Sequence, residues 1–206
     1  MTDKVLFWFG SDFTQFSMSY FFQKQYDCDM YAIVDITNKT KSFFKNQTLV
    51  KFKNTWYLHD EYDHRKTPDM EYLKKFEEKY NIDLWKLAFN ERMFYGFFEF
   101  HKFTSNEILS IVEQICRFYE QIFEEIKPDY FITKLTAFHH LELFRQMCKK
   151  NGTKVLMLSG AGIPQKNIIS ENDTKFDYFD DQINNIQYPA KTFTELQQDL
   201  KAINEN

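Results

Sequence analysis

The chain has 206 residues, 43% of them hydrophobic and 19% aromatic, with a net charge of −4. That composition describes a packed globular protein with room for one sizeable core. It provides no concentrated basic face for nucleic acid. Three widely spaced cysteines, Cys28, Cys116 and Cys148, fit reduced thiols rather than a disulfide framework or a zinc site. The five-residue apolar run in "MTDKVLFWFGSDF" is too short for a signal peptide or a membrane span. The expectation is a cytoplasmic chain, peripheral to the inner membrane face at most.

Val5 to Phe9 is a continuous apolar run closed by Gly10, the pattern of a strand buried on both faces. "DFTQFSMSYFFQKQ" then spaces Phe13, Phe16, Tyr20 and Phe21 on a helical face. Met30 to Ile36 predicts a second strand, and Thr48 to Lys53 a shorter one. "PDMEYLKKFEEKY" predicts a helix with Pro68 near its first turn. The clearest helix covers Asn106 to Ile126. Thr104 and Glu107 form an S/T-x-x-E capping box, and Ile108, Ile111, Ile115, Phe118, Ile122 and Ile126 make one stripe. Strand Asp129 to Thr133 follows, then a helix from Phe138 to Lys150 and a buried strand from Val155 to Leu158. The last helix is capped by Thr192 and Glu195, with Phe193, Leu196, Leu200 and Ile203 on one side. The alternation predicts a single α/β domain with a Rossmann-like parallel sheet and helices on both faces over residues 1–176. Residues 177–206 are then a polar connection and an amphipathic C-terminal helix.

In such a sheet, ligands bind beyond the carboxyl ends of the strands. Three strand ends carry polar groups: Gly10-Ser11-Asp12, Lys134 to Thr136 with His139 and His140, and Ser159-Gly160 with Gly162. Each has two readings. Gly10-Ser11-Asp12 is a turn and helix cap, or a hydroxyl and anion cradle with Asp12 as base. The glycines at 160 and 162 form a turn or a loose phosphate cradle. Pro164 stands where a dinucleotide motif needs a helix, which disfavours nicotinamide and flavin, so no cofactor is expected. Adjacent helical histidines diverge by about 100° and make poor co-ligands, so no metal is expected, while one of them can face the cleft as a base. "HDEYDH" at residues 59–64 holds metal-ligand residue types but reads as a solvated turn.

The stretches "NERMFYGFFEFHKFTSNEILSIVEQICRFYEQIFEEIKPDYFI", "HHLELFRQMCKKNGTKVLML" and "NIISEND" together resemble the amino-terminal half of capsule and surface polysaccharide biosynthesis proteins of the GT-B glycosyltransferase type. The resemblance covers about Lys4 to Asp173 and is best from Asn90 onward. It matches Glu91-Arg92 to a recurrent "ER" pair, and the segments 134–140 and 159–166 to loops facing an interdomain cleft. "SGAGIPQK" departs from the arginine-containing turn of that family, with Lys166 as the substitute charge. The resemblance implies an acceptor-side domain whose ligand is a glycan acceptor or a nucleotide sugar. Within that activity the strand-end residues supply the site: Asp12 or His139 as base, with Gly10, Ser11, Lys134, Thr136, His140, Ser159, Gly160, Gly162 and Lys166 around the substrate. A donor-binding second half, or self-association through the last helix, is the expected partner. The alternative is a glycan-binding or nucleotide-sugar-binding module without turnover.

Overall fold

The structure, a computed structural model, describes residues 2–61, 63, 66–96, 101–136, 138–160, 167–172 and 191–204. The longest apolar runs sit at its centre. Strand β1 (Lys4–Phe9), buried at five of its six positions, lies between β2 (Asp29–Val34) and β4 (Tyr130–Lys134), parallel to both. Outside these come β3 (Asn54–Tyr57) on one side and β5 (Lys154–Gly160) on the other. The edge strand β6 (Asn167–Ser170) is antiparallel to β5. The order is β3-β2-β1-β4-β5-β6, the Rossmann order with its last strand reversed. The fold is α/β and Rossmann-like.

Helices cover both faces. Helices α1 (Thr14–Gln25) and α2 (Asn38–Asn46) pack on the side of Val5, Phe7 and Phe9. The other side, with Leu6, Trp8, Ile33 and Phe131, takes α3 (Met70–Tyr80), α4 (Leu84–Phe89), α5 (Arg92–Tyr95), α6 (Ser105–Ile126) and α7 (His139–Lys150). The last described helix is α8 (Phe193–Asn204). The phenylalanines have structural work on the first face, where Phe9, Phe16 and Phe44 stack or meet edge to face at 5.3–5.7 Å between centroids. Helix α6 starts at the capping box read from the sequence, with Thr104 and Glu107 each satisfying the other's backbone N–H.

Two predicted elements are corrected. The third strand is not at 48–53 but at Asn54–Tyr57. Val50 N–H is taken by Gln47 Oε1 and Lys51 N–H by Gln23 Oε1, so side chains occupy the donors that a ladder would use. In α1 the buried face is Gln15, Phe16 and Ser19, while Phe13 and Phe21 are exposed. Small Ser19 folds its hydroxyl onto Phe16 O at 2.7 Å, and Phe22 meets Phe7 of β1 edge to face at 5.9 Å.

Candidate functional site

The strand order reverses between β1 and β4, where the connections leave in opposite directions and open a crevice above the carboxyl ends. A cleft of about 470 Å³ lies there. The end of β1 contributes Gly10 and Ser11, and the end of β2 contributes Asp35, Ile36 and Thr37. From the 3₁₀ turn after β3 comes His59, and from β4 and the start of α7 come Lys134, Phe138 and His140. Four parallel strands thus feed one site.

Asp35 is its hub. Its Oδ2 accepts from His140 Nε2 at 3.0 Å and from Trp8 Nε1 at 3.3 Å, and its Oδ1 accepts from His59 Nε2 at 2.9 Å. Burial alone would raise the carboxyl's pKa, but the bonds from His140 and His59 outweigh it and hold the group well below the usual carboxylate range. An ionised carboxylate only accepts, so both Nε2 atoms donate to Asp35. The His140 ring stacks on Trp8 (5.8 Å, 22°) and on Phe138 (5.7 Å, 9°). Its backbone carbonyl accepts from Tyr119 Oη at 3.0 Å, which ties α7 to α6. The imidazole is therefore fixed in orientation and tautomer.

Beneath the cleft, His139 points the other way. Its backbone N–H and its Nδ1 both meet Glu91 Oε2 at 2.9 Å, and its side chain is 6% exposed. Burial would raise the Glu91 pKa, but bonds from His139 and the Met93 N–H hold it at about 2. Burial pushes His139 below its ordinary pKa, against the pull of Glu91. Ligand atoms of Glu91, His139 and His140 lie within 4.8 Å of one another, close enough for a metal ion. Yet Glu91 Oε1 already accepts from Met93 N–H and Oε2 from two His139 donors. The carboxylate is spent as a hydrogen-bonded brace, which disfavours it as a metal ligand.

Of the residues singled out from the sequence, Gly10, Ser11, Lys134 and His140 share the cleft. Lys134 lies over Gly10 so closely that a Cβ there would sit 2.9 Å from Nζ, so the glycine is needed for this approach. Asp12 stands beside them, with Oδ1 accepting from Thr14 N–H at 3.2 Å and Oδ2 3.8 Å from Lys134 Nζ; it closes an Asx turn ahead of α1 and acts as a counter-ion. Thr136 gives its hydroxyl to Glu142 at 2.7 Å. His139 is buried behind the cleft, and Ser159 and Gly160 pair with Ile168 and Asn167 at the sheet edge, away from it. Gly162 and Lys166 lie outside the described residues, as do Tyr62 and His64 of "HDEYDH".

Sequence reading passes over Asp35 and reads His59 as part of a solvated turn, whereas both line the cleft. Asp35 directly follows the apolar run of β2, so the strand-end rule applied to β1 and β4 selects it equally well. His59 was hidden by placing the third strand six residues early. The fold and this crevice define an open doubly wound α/β domain with a polar, histidine-bearing site at its switch point. Neither a protein-family model nor a curated protein matches the chain. Among the described residues no helix is long and apolar enough to cross a membrane.

Proposed function

We propose that this domain binds a carbohydrate hydroxyl at the switch-point cleft and serves as the acceptor-side half of a glycosyltransferase for surface polysaccharide. The observation that carries this reading is the Asp35–His140 pair on the cleft wall. A carboxylate that fixes an imidazole in one orientation and tautomer beside the substrate is what a general base needs. In the reaction, the acceptor O–H proton passes to His140 Nδ1. The acceptor oxygen bonds to the anomeric carbon as that carbon's bond to the nucleotide diphosphate breaks. Lys134 and Ser11 hold neighbouring hydroxyl or anionic groups. Asp12, already engaged by Thr14 N–H and Lys134, is the weaker base, and His139 supports the site from behind.

The donor sugar is held by a second Rossmann-like half, or by a partner chain, that meets this domain. The apolar stripe of α8, with Phe193, Leu196 and Leu200 all exposed, is the surface assigned to that contact or to self-association. Titrating the whole chain with UDP-glucose and with short oligosaccharides, read by amide resonances, tests the reading. Ser11, Asp35, Lys134 and His140 are expected to shift together, and His140→Ala to weaken binding about ten-fold, the loss of one hydrogen bond. Shifts confined to other surfaces would overturn it. Transfer on adding a donor-binding half separates an enzyme from a module that only binds.

A further inference from the structure

Behind the cleft lies a second, smaller space of about 70 Å³. Its walls are Leu58, Phe94, Phe103, Ile111 and Ile115, and it shares His59, Met93 and His140 with the cleft, so the two spaces adjoin across those three side chains. It is several times the ~10–15 Å³ that one water needs. His139 also lines it, and its Nε2 is buried with no hydrogen-bond partner among the described residues. Glu91 accepts from Nδ1, which requires the proton there and leaves Nε2 as a bare acceptor. An acceptor without a donor in an apolar wall costs free energy until a ligand supplies one.

We propose that this cavity is a recognition pocket for the acetamido group of an N-acetylated amino sugar, with His139 Nε2 as its hydrogen-bond acceptor. The proposal rests on the carbohydrate reading above and names its substrate class. A trans amide carries its N–H and its methyl on one edge and its carbonyl oxygen on the edge next to the sugar carbon. Entering methyl-first, the group sets CH₃ against the apolar wall, gives N–H to Nε2, and leaves C=O at the wet mouth. A 2-hydroxyl would leave the cavity unfilled, and a free amine would carry an ammonium into an apolar space.

The test is titration of the whole chain with N-acetylglucosamine, glucose and glucosamine, followed by the methyl resonances of Ile111 and Ile115 and the ring nitrogens of His139. N-acetylglucosamine is expected to bind about ten-fold or more tightly than either of the others, with a shift at His139 Nε2. His139→Ala is expected to abolish that preference. Because that change also strips Glu91 of a donor, Ile115→Phe serves as the second variant. It fills the cavity from α6 and should bring N-acetylglucosamine down to the affinity of glucose. Equal affinities for the three sugars, with Ser11 and Lys134 still shifting, would overturn the pocket and leave the carbohydrate site standing. No shift with any sugar would overturn both.

Discussion

Asp35 shows how a single residue can organise a site, because its two oxygens take three donors from three separate elements. Asp35→Asn keeps the shape but puts an N–H₂ against one of them, and is expected to cost roughly 1.5–3 kcal/mol, the worth of a hydrogen bond to a charged group. Urea unfolding measures it, and a loss under 0.5 kcal/mol would deny Asp35 its role as hub. Gly10→Ala tests the opposite case. The new methyl meets only the flexible end of Lys134, so Tm should stay within about 2 °C while the ammonium is displaced and ligand binding weakens. A large fall in Tm would show that the backbone at Gly10, and not Lys134, is what the position protects. Acid should act through the buried pair. His139 is held below its ordinary 6.5 and Glu91 at about 2 against 4.5. Both groups therefore bind protons more readily in the unfolded chain, and stability is present at high pH and lost as pH falls. The urea midpoint is expected to decline first as pH drops through about 6.5, from His139, and again between about 4.5 and about 2, from Glu91. A flat profile between pH 7 and 5 would show that His139 is not kept neutral.

At the scale of elements, the longer helices with an apolar stripe were legible, and the short ones, α2, α4 and α5, were not. The α6 box closes as read, and Thr104→Ala is expected to cost about 1 kcal/mol by removing the N-cap acceptor; a neutral result in urea would mean the end of α6 is held by packing alone. Helices α2 and α5 carry neither long stripes nor local box signatures, since α5 is a single turn capped by Glu91, and tertiary contacts decide them. The stripe of α8 was visible in sequence, but it stays uncovered at Phe193, Leu196 and Leu200; the side chain of Ile203 lies outside the described residues. Leu196→Glu with Leu200→Glu should therefore leave Tm within a few degrees while shifting the sedimentation coefficient from an associated to a monomeric species. If the double variant instead unfolds the chain, α8 belongs to the core of this domain.

In the whole molecule, the sheet's two-sided burial separates what was readable from what was not. Apolar runs of three to five residues between turn and cap signals can satisfy their burial only within a covered parallel sheet, so β1, β2, β4 and β5 and the α/β class followed from local pattern alone. Amide exchange should be slowest in β1 and β4, which have neighbours on both sides, and fast in α8; slow exchange in α8 would mean its stripe is covered. The same patterning marked Gly10, Ser11, Lys134 and His140, because polar residues that follow buried strands collect at one end of the sheet. It did not reveal that Ser159 sits at the edge, since that depends on β6 pairing antiparallel with β5. Nor did it tell the two histidines apart. Their order in the chain is adjacent, but a helical step of about 100° turns one toward Asp35 and the other toward Glu91. The sequence by itself determined the fold class and the end of the sheet where chemistry gathers, because burial patterns are written in local order. Only the tertiary structure decided which carboxylate meets which histidine, because those partners lie 105 and 48 residues apart and come together through strand order rather than spacing.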